Sequence, residues 1–319
     1  MRILLCIRDS VYSESAIKCG GLLAHNLNSD ITVMTVMKAI SSIYQSRISK
    51  THEKLQEWGL DLPQTLVLKQ ARKILKDIGL DVEAKTTGEM VLHETDSGVH
   101  ELKAGGSHGK LVTLKVRHGK PTEEIIEEAE EGNYDLIVVG RTQKEGVEKT
   151  VFGSVATDIT AYSKIPVLSV KKQVPIKKIL TCTDGSKDAE NAEIFSGYLA
   201  KNLKANLTLL SVIPTIKRTI NPPEDVAKSV SEDALDSGKK KIKKYFNLNV
   251  NTILKNGHAV DQIIEESKGY DLIVLGSRGL SKIERMLVGH VSLNVEKLAT
   301  SNVLVVRSCN LCEIIKNQL

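Results

Sequence analysis

The chain has 319 residues and a formal net charge of +5, from 44 Lys plus Arg against 39 Asp plus Glu, with 41% hydrophobic and 26% charged residues. At roughly 100 to 200 residues per domain, that length predicts two globular domains, and the composition excludes extensive disorder. Aromatic residues make up only 3%, so the cores have to be built from Ile, Leu, Val and Ala, as in α/β proteins with buried parallel strands.

The same scarcity of rings, with acids interleaved among the bases, argues against nucleic acid as a partner. No apolar run approaches the ~20 residues that span a bilayer, so a membrane is not expected either. The N-terminal run Ile3-Leu4-Leu5-Cys6-Ile7 meets Arg8 too soon for a signal peptide and reads as a buried first strand. A cytoplasmic protein is the expectation, with its five cysteines (Cys6, Cys19, Cys182, Cys309, Cys312) as free thiols.

Taken in order, the first half alternates β-branched runs near 2–8, 31–37, 82–88, 135–139 and 166–170 with helical periodicity. The second half repeats this near 177–183, 206–213, 249–255, 271–275 and 302–306. That alternation predicts parallel sheets covered by helices, an α/β architecture. The halves are copies. Ile3 to Ser10 lies over Ile179 to Ser186 without a gap, and Tyr134-Asp135-Leu136-Ile137-Val138-Val139-Gly140 matches Tyr270-Asp271-Leu272-Ile273-Val274-Leu275-Gly276. The offset falls from 176 to 136, which leaves about 40 extra residues in the first half.

Gly98, Gly105, Gly106 and Gly109 fall between the alternating stretches Glu89 to His93 and Lys110 to Val116, which predicts a β-hairpin insertion near 85–115. The boundary is expected in Lys171 to Pro175, giving domains 1–172 and 175–319. In the second, Ala189, Ala192, Phe195, Leu199 and Leu203 recur at helical spacing and should face the sheet.

Ligands of open α/β sheets bind beyond the carboxyl ends of the strands, where the order reverses. Two loops of the second half have the composition for this. Asp184-Gly185-Ser186 follows its first strand. Gly276-Ser277-Arg278-Gly279 follows its fourth, with Gly289 after nine further residues. Such glycines let backbone wrap phosphate oxygens, and a helix starting near Gly289 would aim free N–H groups at them. Arg278, Lys282 and Arg285 add positive charge, so an anionic ligand is expected.

At these residues the chain resembles the universal stress protein family, as a tandem of two such domains. The resemblance covers nearly everything but the insertion. It implies doubly wound sheets of strand order 3-2-1-4-5 and, in one branch, ATP bound in this crevice through Gly, two residues, Gly, nine residues, Gly, then Ser or Thr. Carried over, Asp184 matches the acid at the adenosine end, Val212 the lining of the adenine slot, and Gly276, Gly279, Gly289 and Val291 the phosphate loop. Two positions depart: Cys182 stands where the family often has Pro, and His290 where it has Ser or Thr.

In the first half Val36 answers to Val212, and Gly140, Gly153 and Ser154 keep parts of the motif. Gln143 replaces the second glycine and Arg8 the acid, so this site reads as degenerate, with a different anion as the counter-reading. The resemblance further implies that the terminal strands Val167 to Val170 and Val303 to Val306 pair, making the halves an intrachain pseudo-dimer. A homodimer of whole chains stays open.

Other signals carry less. Gly105 to Leu111 imitates a P-loop but has three residues instead of four between Gly105 and Gly109, and Leu111 has no hydroxyl. Cys309-Asn310-Leu311-Cys312 is a single CxxC, a weak zinc or redox signal. Lys239 to Lys244 read as a solvated helix end, and the acids Glu123 to Glu131 as facing water, with Ile125 and Ile126 as the buried side.

No nucleophile, base and orienting acid occur together, so no catalytic residue and no protein metal ligand are assigned. The expected function is a nucleotide-binding stress-response regulator holding ATP (or AMP or ADP), with Mg²⁺ or Mn²⁺, in its second half. Slow ATP hydrolysis at the same loop, or an interaction module without nucleotide, are the alternatives.

Overall fold

The computed structural model describes residues 1–8, 10–37, 63–80, 93–94, 100–105, 110–140, 154–173, 175–215, 224–279, 288–307 and 309–318. Contacts divide the chain into two units, Met1–Val151 and Phe152–Leu319.

In the first unit, β1 (Arg2–Ile7), β2 (Asp30–Met37), β5 (Leu111–His118) and β6 (Leu136–Gly140) form a parallel sheet, β6-β1-β2-β5. Helices α1 (Ser10–Asn26), α2 (Pro63–Asp77) and α3 (Pro121–Glu131) accompany it. The third parallel strand is therefore β5, not the run at 82–88, which lies outside the described residues. β4 (His100–Gly105) pairs antiparallel with β5, and β3 (His93–Glu94) with β4. A hairpin is present, but its second arm is the sheet strand itself. Gly105 pairs with Leu111, so the ends of the P-loop imitation belong to two paired strands; residues 106–109 between them lie outside the described residues.

The acidic stretch of α3 does not all face water. Glu128 is 3% exposed. Lys115 Nζ donates to it at 2.9 Å, Arg117 Nη1 at 3.1 Å, and Tyr134 Oη lies 3.0 Å away. Ile125 is buried as expected, and Glu128 shares that face because β5 supplies two cations beneath it.

In the second unit, β8 (Lys178–Cys182), β9 (Asn206–Pro214), β10 (Asn251–Gly257), β11 (Leu272–Gly276) and β12 (Asn302–Val306) lie parallel in the order β10-β9-β8-β11-β12, which is 3-2-1-4-5. β7 (Val167–Val170) closes the edge antiparallel to β12, with Leu168 opposite Leu304. This pairing, with α4 (Ser154–Tyr162) packed on α8 (His290–Leu298), is why α4 and β7 join the second unit. The contact boundary thus precedes the Lys171 to Pro175 linker.

The remaining helices are α5 (Lys187–Leu203), α6 (Glu224–Phe246), α7 (Ala259–Ser267) and α9 (Asn310–Asn317). On α5, Ala189, Ala192, Phe195 and Leu199 are buried at the expected spacing. Leu180, Leu210, Ile273, Leu275, Val303 and Val305 build a core with Val260 and Ile263 of α7 and Val295 of α8.

The cysteines depart from the free-thiol expectation. Cys309 and Cys312 form a disulfide at the start of α9, while Cys6, Cys19 and Cys182 are free. Three residues of separation across a helix N-terminus bring the two sulfurs onto one side of the turn. No described helix is long and apolar enough to cross a membrane.

Candidate functional site

β8 and β11 are parallel neighbours, Thr181 opposite Val274, so the loops after them leave the same end of the sheet. At the first loop, Ser186 N donates to Asp184 Oδ1 at 3.0 Å, closing a turn through Gly185 at φ +78°, where a side chain would be strained. Ser186 then caps α5, its Oγ accepting from Ala189 N at 3.2 Å. Asp184 is thus held in the turn that follows β8.

The second loop is stitched to the first. Ser277 Oγ donates to Asp188 Oδ2 at 2.6 Å and Arg278 N to the same oxygen at 3.1 Å, while Ser186 Oγ lies 3.2 Å from Arg278 O. At Gly276 a Cβ would lie 2.6 Å from Ala189 N and from the Asp188 carbonyl carbon. At Gly279 it would lie 2.5 Å from Asp184 Oδ2. These two glycines are places where the backbone touches α5 and the acid.

Gly289 N donates to Ser277 O at 2.6 Å and Ser292 Oγ to Gly276 O at 2.7 Å, which brings the last glycine of the motif back to the first. Gly289 caps α8 without a side-chain hydrogen bond. The first turn of α8 therefore has no side-chain cap from Gly289.

The structure brings Asp184, Gly276, Gly279 and Gly289 together. Val212 is half-buried on β9 and, with Cys182, packs on the core cluster. Val291 packs on the same cluster, so it can offer only its N–H. His290 is exposed at the first position of α8. Burial pushes the Cys182 thiol well above its ordinary range, which removes it as a nucleophile.

Arg278 is exposed. Arg307, just past β12, is buried. Burial and the nearby Arg278 pull its guanidinium down to about 10 against the pull of Asp188. Its Nη2 donates to Ala161 O at 2.9 Å, so it secures α4 instead of facing a ligand. Lys282 and Arg285 lie outside the described residues.

Of the first-half set, Arg8, Val36 and Gly140 stand at the carboxyl ends of β1, β2 and β6 in the first unit. Arg8 is exposed and its N donates to Ser13 Oγ at 3.2 Å. Gln143 and Gly153 lie outside the described residues, and Ser154 begins α4 in the second unit.

Sequence reasoning placed Ser186 and Ser277 in the two loops but missed that, with Asp188, they hold the loops together. An acid in the first turn of a helix looks like a partner of the helix dipole, and that ordinary role hides this one. It also missed Glu193 beneath Thr183.

Comparison with known proteins bears on the whole chain. The model of the universal stress protein family matches residues 1–171 and 175–307. A universal stress protein of Synechocystis is 24% identical over 96% of this chain and 99% of its own. Universal stress protein YxiE of Bacillus subtilis is 32% identical over 41% of this chain and 98% of its own. Among solved structures, a universal stress protein from Archaeoglobus fulgidus aligns with a TM-score of 0.65 at 20% identity, over 96% of this chain and 98% of that one.

Proposed function

This chain belongs to the universal stress protein family, and from that premise we propose that its second half binds an adenine nucleotide, ATP foremost, at the carboxyl ends of β8 and β11. The observation that carries the reading is the contact of Gly279 with Asp184: a Cβ there would stand 2.5 Å from the carboxylate. Bare backbone beside a fixed acid is what a ligand with a hydroxylated sugar and a phosphate tail requires.

In this reading Asp184 accepts hydrogen bonds from the ribose, and Val212 with Cys182 forms an apolar wall for the base. The backbone from Gly276 to Gly279 and the first turn of α8 cradle the phosphates, with Arg278 outside them. His290 supplies a ring N–H where the family has a hydroxyl. Bound ATP supplies negative charge and two recognisable ends; the protein residues bind and orient it. Asp188 is already engaged by Ser277 and Arg278. A divalent cation would therefore be carried by the phosphates, with no protein ligand assigned.

The first half is proposed to be degenerate, because Arg8 replaces the acid with a cation. Occupancy of the second half stabilises the native state by mass action, about 2.7 kcal/mol at a hundredfold excess over Kd. That shift is the means by which nucleotide level would regulate the protein.

Isothermal titration of the purified chain with Mg-ATP tests this, after heat release and chromatography for any carried nucleotide. One nucleotide per chain is expected. Asp184→Ala and Gly279→Gln should each abolish it, while Arg8→Ala leaves it unchanged. Two per chain would overturn the reading of the first half, and no binding with no thermal shift would overturn the proposal.

A further inference from the structure

Below the crevice, three elements converge on one buried carboxylate. Glu193 of α5 is 0% exposed. Its Oε1 accepts from Thr183 Oγ1 at 2.6 Å, and its Oε2 accepts from Lys241 Nζ of α6 at 2.9 Å. Thr183 immediately precedes Asp184, and its Oγ1 accepts from Gly185 N at 3.3 Å. One hydroxyl therefore joins the buried acid to the turn that presents Asp184.

The third element is marked by a glycine. Gly238 lies in the interior of the 23-residue α6, where glycine is disfavoured. A Cβ there would lie 2.9 Å from Glu193 Oε1 and equally close to Leu209 Cδ1 of β9. The glycine lets α6 come close enough for Lys241, the one lysine of the run 239–241 that is not exposed, to reach inward.

We propose that Glu193 is a positioning residue for adenosine recognition: a buried anionic anchor that holds the Asp184 turn through Thr183 and fixes α6 beside it through Lys241 and Gly238. The ligand named here rests on the preceding proposal; the anchoring of the turn does not.

Among the described residues the two hydrogen-bond partners of the side chain, Thr183 and Lys241, both donate to it, as a carboxylate requires. The groups facing it are Thr183 at the end of β8, Lys241 on α6, and Glu190 one turn earlier on α5. Burial pushes the Glu193 carboxyl up, while Thr183 and Lys241 oppose this and Glu190 reinforces it. Asp184 is therefore held by a network that also sets the seat of the long helix. Adenosine binding and the position of α6 become two readings of one anchor.

The test uses the full chain with Thr183→Val, Gly238→Ala, Glu193→Ala, Glu193→Gln and, as control, Ser237→Ala on the exposed side of α6. Thr183→Val and Gly238→Ala should weaken adenosine and ATP equally, by about tenfold, the loss of one hydrogen bond to a charged group. Glu193→Gln, which keeps an acceptor for Thr183, should restore most of what Glu193→Ala loses.

Thr183→Val combined with Asp184→Asn should cost less than the product of the single effects, whereas combination with Arg278→Ala should multiply. A role confined to stability would give no such distinction. Hydrogen exchange without ligand supplies the second readout. The Gly185 amide should exchange faster in Thr183→Val and Gly238→Ala than in the wild type or Ser237→Ala.

Unchanged affinity together with unchanged exchange overturns the proposal. If the wild type binds no adenosine, the preceding proposal fails, and the exchange comparison alone decides this one. Faster exchange sustains the anchor, and unchanged exchange overturns it.

Discussion

Two glycines of the phosphate loop face different neighbours, and alanine at each should therefore do different damage. At Gly276 the new Cβ would meet Ala189 N and the Asp188 carbonyl carbon at 2.6 Å and Asp188 O at 2.8 Å. All are backbone atoms of the first turn of α5, which cannot rotate away. An overlap approaching 1 Å against ordinary contact must be relieved by separating β11 from α5. Overpacking of this kind costs about 1–3 kcal/mol, with backbone neighbours at the upper end. For a unit of this size about 3 kcal/mol lowers Tm by roughly 6–12 °C.

At Gly279 the described neighbours within 4 Å are Oδ2 and Cγ of Asp184, at 2.5 and 3.7 Å. A carboxylate can rotate, giving up the part-buried bond from Ser186 N, for a stability cost of about 1.5 kcal/mol, the low end for a bond to a charged group. The rotated acid no longer meets the ribose, and a lost hydrogen bond to a charged group is worth about 1.5–3 kcal/mol, or roughly 10- to 150-fold in affinity. Thermal melts by circular dichroism and titration with adenosine separate the two effects. Gly276→Ala should melt early, and Gly279→Ala should melt nearly as wild type but bind weakly. If Gly276→Ala melts within 2 °C of wild type, or Gly279→Ala keeps full affinity for adenosine, the close-approach argument is refuted.

In the first unit, Glu128→Ala removes the buried acid that Lys115 and Arg117 share, leaving Arg117 with Glu124, Glu127 and Glu131, and should cost about 3 kcal/mol by chemical denaturation, while Glu127→Ala, more than half exposed, should change little. A loss at Glu128 no larger than at Glu127 would contradict the network.

Opening the Cys309–Cys312 bridge, by reductant or by Cys309→Ser, releases a four-residue loop and on chain-entropy grounds should cost about 2 kcal/mol. Mass spectrometry of the alkylated native protein should count three free thiols, and five would disprove the bridge.

Glu296 is 0% exposed, with Ser169 Oγ on Oε1 at 3.1 Å and no partner for Oε2 among the described residues. Burial raises its pKa above the ordinary value, against the pull of Lys171, Ser169 and Lys297. The native state thus binds this proton more tightly than the unfolded chain does. The stability it adds is complete below the unfolded pKa and lost as pH rises through the folded one. The Tm of Glu296→Gln minus that of wild type should increase from pH 4.5 upward, and a difference constant to pH 8 would count against it.

The fold was legible where residue type and geometry constrain each other directly. Unbroken aliphatic runs such as Leu272 to Leu275 admit little but a buried strand, and nine of the ten expected strands coincide with strands of the structure. The third strand of the first half was misplaced because Leu111 to His118 carries Lys115 and Arg117. Charges at alternate positions look like the solvated arm of a hairpin unless a buried acid lies across from them. Glu128 was that acid, and it looked like one more carboxylate in an acidic helix.

The site divides along the same line. Gly276 and Gly279 stand where close approach leaves no room for a Cβ, and the spacing of the two with Gly289 is what the family resemblance picks out. Asp188, Glu193 and Lys241 were invisible because each is of a type that helices place in water. The sequence nevertheless contains an indirect mark of the buried pair. A glycine eight residues from the nearest helix end has no capping use, and in a helix as charged as α6 it lowers helix propensity without adding flexibility that the fold uses. Its presence means that something occupies the space a Cβ would fill. Here the occupants are Glu193 of the facing helix and Leu209 of the sheet beneath. Gly238 therefore points to Glu193 by the same logic that makes Gly279 point to Asp184, and both acids flank the turn that begins at Thr183.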